Sequence, residues 1–568
     1  MLTRRQTYTL LIVIAAGLML GRIIAVDRTD TILIERDRVA QIPKQLAEKE
    51  QRLRNAGVSE DELRAEMERT EEQLRMNASF GLPVFSANDR SRWNTIRVLV
   101  EPDMRVQRTI TQPDGTERTE TVWYAIDKAQ NVRGWDTIDM VKHNNVAADI
   151  SFGSAIKQAG EELVEKTSEI IRQISTAWKE EPSAENDSPA QSNDEASDQI
   201  APGHLYSSKP PLLPTLMAIP YALMYRASDG KLSLAQEPYF VVRITLIVCN
   251  LLPLVLCWFL LSRLIERFGT TDWGRVFSVA FVCFGTFIST FAVTLNNHIP
   301  GVICITIALY STVRIIYDKN IRWWHFVLVG FFGAFAVACE TPALLFLCLL
   351  GLWLFCHQWR RTLLFFLPAA LLVASAFLAT NYIAHKTLMP AYSQQDWYFY
   401  KYERGTNSAG QPIIRDSYWK NPQGLDKGEE SRRTYIFHST VGHHGLFSLT
   451  PVWALSLLGL VIWLFHRRYW CMSLIFLFTS LVVFAFYMLL PLELRNYGGN
   501  TSALRWVFWL APLWSIALVA AADWFGKSIF LRAIALACLI VSAMSAAYPI
   551  WNPWTMPWTH NLIQYAGW

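Results

Sequence analysis

The chain has 568 residues, of which 52% are hydrophobic and 13% aromatic, and its mean hydropathy is positive. Its formal net charge of +4 at pH 7 is too small to indicate a nucleic-acid partner. Charged residues are concentrated between positions 27 and 210 and in short loops afterwards, whereas a soluble domain would intersperse them. The composition therefore excludes an ordinary soluble protein and indicates a membrane protein with one large hydrophilic insertion.

All nine cysteines lie in or beside apolar segments, and none lies in the two long hydrophilic loops. This distribution gives no indication of a disulfide framework. The sequence also has no Cys-x-x-Cys pair and no other convincing metal-ligand spacing. We therefore expect no cofactor; a divalent metal is possible but is not indicated by the sequence.

The first predicted element is a transmembrane helix within residues 1–26. Arg4 and Arg5 precede an apolar run from Tyr8 to Val26. This run is longer than the usual apolar core of a signal peptide, and no clear cleavage site follows it. Because basic residues favour the cytoplasmic side, we expect the N-terminus in the cytoplasm and residues 27–203 outside it.

Residues 27–203 are predicted to form a large extracytoplasmic loop that contains a helical hairpin and a small α/β insertion. Residues 40–76 are rich in Glu, Arg, Leu and Gln. Ser59 followed by Glu62 is typical of a capping box, which favours the start of a second helix there. The hairpin is therefore predicted over residues 40–76.

The remainder of this loop is more mixed. Strands are predicted at Thr95–Val100 and Thr121–Ile126, with a turn at Pro113–Gly115 between them. Apolar residues recur along one stripe of residues 150–178, which indicates an amphipathic helix that packs on the domain or lies on the membrane. Residues 180–203 are rich in Ser, Asp, Glu and Pro and are predicted to be a disordered linker.

The stretch His204–Pro214 stands at the start of the long apolar region and combines a lysine with aromatic groups, hydroxyl groups and three prolines. Proline lacks the N–H group and fixes φ, and it pushes the preceding residue towards extended backbone. Lys209 is therefore expected on a rigid, non-helical approach to the membrane surface, where a cation can meet a lipid phosphate.

Ten further apolar runs bring the predicted number of transmembrane helices to about eleven. They divide the chain into a first part of the membrane core at 204–383, an extracytoplasmic loop at 384–443, and a second part of the core with an external tail at 444–568. With this count, the basic clusters of the short loops fall in the cytoplasm. A further span at 211–226 would move them outside, so the positive-inside rule predicts that 211–226 is re-entrant or interfacial.

The same topology places most of the unusual polar residues on the extracytoplasmic side. They include His298, Glu340 and Arg505, together with an aromatic stretch at 392–402. Ionisable groups at membrane depth are costly and tend to face a cavity, so their convergence indicates a site. Two alternatives remain open: His298 could be an interfacial helix end, and the aromatic residues could form a membrane belt rather than a platform for a sugar.

Nine short segments carry a resemblance to a known family: Asn88–Trp93, Thr95–Glu101, Tyr124–Asp127, Thr137–Asp139, Tyr206–Leu212 with its Lys-Pro-Pro-Leu sequence, Phe240–Arg243, Arg263–Gly269, Glu340–Leu344 and Tyr497–Arg505. Their order and spacing relative to the apolar runs resemble the GT-C superfamily of polyprenyl-phosphate-sugar-dependent glycosyltransferases. The protein O-mannosyltransferase-like and aminoarabinose-transferase-like branches are the most similar. Two features depart from the family pattern, because Asp89 is single and follows a helical insertion, and Glu340 stands where a basic residue is common.

The resemblance implies a mainly α, polytopic membrane fold of the GT-C type and a hexosyl- or pentosyltransferase. It implies a polyprenyl-phosphate-linked sugar as donor, a glycan, lipid or protein as acceptor, and a reaction on the extracytoplasmic face. The short cytoplasmic loops suit a bacterial inner membrane with the large loop in the periplasm, and an endoplasmic reticulum membrane stays open.

The resemblance also implies roles for individual residues. Asp89 is the predicted catalytic carboxylate, with Asp27 and Asp30 as the alternative. The other predicted site residues are those that bind the donor phosphate, Lys209, Arg243 and Arg505, and those that orient the substrate, Tyr206, His298 and Glu340.

Two other functions compete with the glycosyltransferase. A secondary transporter would have inverted repeats and interrupted helices that meet near the midplane, which the one-sided polar residues and the odd number of spans disfavour. A non-catalytic envelope assembly protein would use residues 27–203 as a binding module and would not need Asp89 or Lys209.

Overall fold

The structure is a computed structural model of the chain. It describes residues 3–25, 29–78, 84, 86–111, 116–132, 134–144, 153–162, 165, 168, 202–406, 412–549 and 552–565. Most of these residues are helical, and three two-stranded sheets lie among the helices.

The numbered helices, each of eight residues or more, are α1 (Arg4–Ile24), α2 (Thr29–Asn55), α3 (Glu60–Ala78), α4 (Ala87–Val100), α5 (Leu212–Ala227), α6 (Pro238–Phe268, with a π turn at Ile247–Leu251), α7 (Asp272–Phe284), α8 (His298–Ile316), α9 (Trp323–Cys339), α10 (Leu344–Arg361), α11 (Leu367–His385), α12 (Arg432–Thr440), α13 (Val452–Leu464), α14 (Trp470–Met488), α15 (Ala511–Phe525), α16 (Ile529–Ala547) and α17 (Trp558–Tyr565). The strands are β1 (Val106–Thr111), β2 (Glu117–Val122), β3 (Met140–His143), β4 (His204–Ser207), β5 (Lys401–Thr406) and β6 (Pro412–Asp416). Single helical turns lie at Asp127–Gln130, Phe287–Thr290 and Leu446–Leu449.

Among the residues that the structure describes, 8 helical segments are long and apolar enough to cross a membrane, and α9 and α13 are shorter apolar helices. The longest segment, Thr341–His385, contains both α10 and α11. Gln358 lies within it with a non-helical backbone (φ −149°, ψ 58°), which breaks the segment. The mainly helical, polytopic architecture is confirmed, and the number of eleven spans stays a prediction.

Two helices form the centre of the bundle, and others face outwards. α8 is buried along nearly its whole length, and so is α15. By contrast, α11 and α16 expose large apolar side chains such as Leu372 and Phe530. Apolar side chains on the outside of a helix bundle suit contact with lipid tails, since lipid makes burial in protein unnecessary. We therefore treat the bundle as spanning a membrane.

The first hydrophilic insertion contains a helical hairpin. Its helices, α2 and α3, pack together, and Lys49 Nζ lies 2.7 Å from Glu66 Oε1 across them. Near the connection, Arg54 Nη1 lies 2.6 Å from Glu60 Oε1. Both ion pairs are partly exposed, so each contributes little to stability. β1 and β2 follow as an antiparallel ribbon with Val106 opposite Val122.

The prediction of a strand at Thr95–Val100 is wrong, because these residues form the second half of α4. Ser86 caps this helix by accepting a hydrogen bond of 3.1 Å from the backbone N–H of Asp89. In α4, 11 of the 14 residues are buried. A helix that is covered on nearly all sides has no polar stripe, so hydrophobic periodicity cannot reveal it.

The other predicted elements of the insertion are only partly described. The predicted strand Thr121–Ile126 overlaps β2 only at Thr121 and Val122. A helix is present at 153–162, within the predicted amphipathic stretch. The turn at Pro113–Gly115, the rest of 150–178 apart from 165 and 168, and 180–201 lie outside the described residues.

Two contacts with the insertion hold the Lys-Pro-Pro stretch in place. β3 pairs antiparallel with β4, with Met140 opposite Ser207, so the residue before β3 lies beside the residues that follow β4. α5 begins directly after Pro211 and packs along α4. With 16 residues, α5 is not among the segments long and apolar enough to span a membrane. Its re-entrant or interfacial placement stays a prediction.

Candidate active site

Charged side chains gather where α4, the β3–β4 sheet, the start of α8 and the helical turn Arg505–Leu510 meet. Burial lowers the pKa of Arg92 to about 10, and the nearby charges that also act on it belong to Arg505, Asp139, Asp89 and Glu340. We call these residues and Lys209 the charged cluster, and we call this end of the helix bundle the site end. The members of the charged cluster are Asp89, Arg92, Asp139, Lys209, Glu340 and Arg505.

Lys209 is paired with a carboxylate at the point where β4 leads into α5. Its Nζ atom lies 3.1 Å from Asp139 Oδ1. Burial lowers the pKa of Lys209, and the Asp139 charge opposes that effect, whereas Arg92 and Arg505 add to it. The lysine thus lies among other cations, which favours the binding of an anion there.

Asp139 is fixed through its backbone rather than through its carboxylate. Its carbonyl oxygen accepts hydrogen bonds from Ser91 Oγ at 2.6 Å and from the Ser208 N–H at 3.2 Å. Ser91 also shares a hydrogen bond of 2.6 Å with Ser207 Oγ. These contacts join α4 to β4 and hold the Asp139 carboxylate towards Lys209.

A chain of hydrogen bonds links the two arginines of the charged cluster. Arg92 Nη2 donates to Asn297 Oδ1 at 2.6 Å, and Asn297 Nδ2 donates to Glu340 Oε1 at 2.8 Å. Glu340 Oε1 lies 2.5 Å from His298 Nδ1, and His298 Nε2 lies 2.9 Å from Arg505 Nη1. Because Arg505 can only donate, His298 Nε2 accepts and its Nδ1–H donates to Glu340. Glu340 thus fixes the tautomer and orientation of His298.

Arg505 is held on three sides. Its Nε and Nη2 atoms donate to the Gly498 carbonyl at 3.0 and 2.9 Å. The Trp554 ring lies 5.1 Å from its guanidinium carbon, a cation–π arrangement. Gly498 has a φ of 92°, and a Cβ atom there would lie 3.2 Å from Arg505 Nε. The Gly-Gly sequence before Arg505 thus permits both the turn and the close approach.

Asp89, the predicted catalytic carboxylate, lies in the wall of the charged cluster. It is 1% exposed, and its Oδ1 atom accepts a hydrogen bond of 3.0 Å from the Leu295 N–H. It stands in the first turn of α4, three residues before Arg92. In this position Asp89 connects α4 to the segment that leads into α8.

Two of the predicted site residues, Tyr206 and Arg243, have surroundings different from those of the charged cluster. Tyr206 is fully buried, and its ring stacks on His143 with centroids 4.3 Å apart. Successive strand residues point to opposite faces, so Tyr206 faces away from Ser207. Arg243 lies in α6, with its guanidinium carbon 5.7 Å from the Tyr239 ring centroid. The charges that act most strongly on Lys209 are those of Asp139, Arg92 and Arg505, and Arg243 is not among them.

The sequence did not assign roles to several residues that the structure brings to the site. Arg92 follows Asp89 by three residues, a helical spacing that would have been informative had α4 been predicted as a helix. Asp139 meets Lys209 only through the pairing of β3 with β4, which a long insertion separates in sequence. Asp426 adds a further carboxylate that burial leaves with a raised pKa, and its charge acts on Arg505.

The charged cluster combines two chemical capabilities. Lys209, Arg92 and Arg505 supply fixed cations, and arginine can hold a phosphate through two parallel hydrogen bonds. Carboxylates beside them can accept a proton from a hydroxyl group. Within the residues that the structure describes, no three His, Cys, Asp or Glu side chains are arranged to hold a metal ion.

Comparisons with known proteins give one family and one similar structure. Residues 212–383 match the family described as dolichyl-phosphate-mannose-protein mannosyltransferase. No curated protein matches the chain. A solved structure that it resembles is the archaeal oligosaccharyltransferase AglB from Archaeoglobus fulgidus, in complex with an inhibitory peptide and a dolichol-phosphate, at 11% identity and a TM-score of 0.37. The similarity covers 63% of this chain and 49% of AglB, so the chain spans about half the length of that protein.

Proposed function

We propose that the chain is a GT-C superfamily glycosyltransferase that moves a sugar from a polyprenyl-phosphate donor to an acceptor on the extracytoplasmic face of the membrane, which the family match over residues 212–383 supports. The proposed transfer is of a hexosyl or pentosyl group, and the proposed acceptor is a glycan, a lipid or a protein. The proposed location is a bacterial inner membrane with the site end in the periplasm.

The convergence of Lys209, Arg92 and Arg505 carries this proposal. In such a transfer the bond between the anomeric carbon and the donor phosphate breaks, and negative charge accumulates on the phosphate. Fixed cations in a buried site stabilise that charge without first having to reorganise. Lys209 also lies three residues before Leu212, the first residue of α5, and the dipole of that helix favours an anion at its N-terminus.

The acceptor side of the reaction needs a group that takes a proton. The acceptor oxygen forms a bond to the anomeric carbon as its proton passes to a carboxylate, and the polyprenyl phosphate leaves. Two carboxylates of the charged cluster qualify: Asp89, proposed from the sequence, and Asp139, which pairs with Lys209.

The other proposed roles rest on position and on the resemblance. His298 contacts Arg505 and Glu340 contacts His298, and both are proposed to orient the sugar or the acceptor. The proposal that Tyr206 orients the sugar or the acceptor rests on the resemblance alone. The proposal that Arg243 binds the donor phosphate rests on the resemblance alone.

A transfer assay with the full-length chain in lipid nanodiscs tests the function. Polyprenyl phosphates that carry labelled hexoses or pentoses are supplied one at a time, with water and with glycan, lipid or protein fractions of the source membrane as acceptors. We expect one donor to yield free polyprenyl phosphate and a labelled acceptor. Lys209→Ala should lower this rate by roughly 100-fold, because the leaving phosphate loses a fixed cation.

Arg118→Ala is the matched control, since Arg118 is exposed on β2. Its transfer rate should equal that of the unsubstituted chain. Consumption of none of the donors, or full activity of Lys209→Ala, would contradict the proposed function.

A further inference from the structure

Resting on the proposed function, we infer that Asp139 is the carboxylate that takes the proton of the acceptor hydroxyl, while its partner Lys209 holds the leaving phosphate. Asp89 then acts as a positioning residue for the wall of the site. This assignment departs from the role that the sequence predicts for Asp89.

Accessibility distinguishes the two carboxylates. The Asp139 side chain exposes 14% of its surface, and that of Lys209 exposes 20%. Asp89 exposes 1%. An acceptor hydroxyl has to approach its base to within hydrogen-bond distance, about 2.6–3.2 Å. Asp139 and Lys209 border open space together, whereas Asp89 is covered by protein.

The two carboxylates also differ in what already occupies their oxygen atoms. Asp89 Oδ1 accepts the N–H of Leu295, and loss of that bond would leave a buried backbone donor without its partner. Asp139 is held instead through its carbonyl oxygen, by Ser91 and Ser208. The backbone of Asp139 is therefore fixed independently of the chemistry of its carboxylate.

The pairing of Asp139 with Lys209 balances the charge of the reaction. Before transfer, the negative charge of Asp139 and that of the donor phosphodiester both lie beside Lys209. During transfer Asp139 is neutralised by the acceptor proton, and the phosphate gains one negative charge as the bond to the anomeric carbon breaks. One negative charge thus moves from one side of Lys209 to the other, and the net charge of this buried group does not change.

This arrangement places the proposed base and the donor phosphate on the same ammonium group. In the structure the Asp139 carboxylate is stabilised by Lys209 at 3.1 Å. A bound donor phosphate competes for the same ammonium group and weakens that stabilisation. The Lys209 ammonium group is therefore shared between the proposed base and the leaving phosphate.

The test separates donor binding from turnover in the full-length chain in nanodiscs. The affinity for unlinked polyprenyl phosphate and the transfer rate from the labelled donor are measured for Asp139→Asn, Asp139→Glu and Asp89→Asn. Asp139→Asn should lower the transfer rate by roughly 100-fold or more, the usual contribution of a general base. Its affinity for polyprenyl phosphate should be unchanged or higher, because Lys209 loses its competitor.

Asp139→Glu should recover part of the transfer rate, since it restores a carboxylate one methylene further along. Asp103→Asn, a change at an exposed carboxylate after α4, is the control and should behave as the unsubstituted chain. Transfer by Asp139→Asn within tenfold of the unsubstituted chain overturns the inference. Joint loss of affinity and transfer also overturns it, because it shows that Asp139 only maintains the site.

The proposed function and this inference fail in different ways. If the unsubstituted chain transfers no sugar, the proposed function itself fails. If the unsubstituted chain is active and only Asp89→Asn loses transfer with affinity intact, the base is Asp89 and the inference alone fails.

Discussion

Arg505 illustrates how much of the site depends on the shape of one side chain. Its guanidinium donates twice to the Gly498 carbonyl and once to His298, and its face lies against Trp554. A lysine would keep the charge but offers a single flexible ammonium group without a planar fork or a flat face. Charge alone would therefore not reproduce the environment of Arg505.

Arg505→Lys should lower the transfer rate by about tenfold or more, because the ammonium group cannot make the contacts to Gly498 and His298 together. The rate is measured with the labelled donor at saturating and at limiting concentration. Arg118→Lys, on the exposed side of β2, is the matched control and should have no effect. Equal rates for Arg505→Lys and the unsubstituted chain would contradict a role for the fork geometry.

At the scale of elements, α4 and α5 are joined by a hydrogen bond to a buried ion pair. Arg97 of α4 and Glu101, which directly follows α4, have side chains 0% and 2% exposed, and Arg97 Nη2 lies 3.0 Å from Glu101 Oε2. Tyr221 of α5 donates to Glu101 Oε1 at 2.5 Å and accepts from the Leu234 N–H at 2.9 Å. This contact fixes the spacing between Asp89 and Arg92 on one helix and the Lys-Pro-Pro stretch before the other.

Arg97→Ala should lower the stability of the chain by about 3–5 kcal/mol, because it leaves the Glu101 charge buried without its partner. Thermal unfolding in detergent measures the change, with Arg118→Ala as the exposed control. The double variant with Arg97→Met and Glu101→Leu should be less destabilised than Arg97→Ala, since no unpaired charge remains. A single variant as stable as the unsubstituted chain would show that the pair does not join the helices.

For the whole molecule, the sequence was sufficient to predict the features that a membrane environment requires, above all the long apolar helices. A helix that crosses a bilayer needs about twenty apolar residues, so the polytopic architecture is readable from hydropathy. The helix α4 could not be predicted in this way, because burial on nearly all its sides removes the amphipathic pattern. The partner of Lys209 was not readable either, since Asp139 reaches it only through the pairing of β3 with β4. Lys209 itself was predicted as a site residue from its prolines, and the structure adds its carboxylate.

The helix bundle also predicts which residues lie on the same side of the membrane as the charged cluster. The segment Arg505–Phe525 has 21 residues and is almost entirely buried in the bundle. A helix of this length extends about 30 Å, the thickness of the hydrocarbon core. We therefore expect Arg505 at one end and Lys527 beyond the other to lie on opposite sides of the membrane. Asp103 follows α4, and its carbonyl oxygen accepts a hydrogen bond of 3.2 Å from Lys128 Nζ, so it lies in the same hydrophilic insertion as Asp139.

A membrane-impermeant maleimide tests this arrangement in intact cells. Asp103→Cys should be labelled from outside, because the proposed reaction takes place on the extracytoplasmic face. Lys527→Cys should be labelled only after lysis, since the bundle separates it from Arg505. Both positions are exposed, and the unsubstituted chain, whose nine cysteines lie in or beside apolar segments, gives the background. The reverse pattern would place the charged cluster in the cytoplasm, and labelling of both positions from outside would show that Arg505–Phe525 does not cross the membrane.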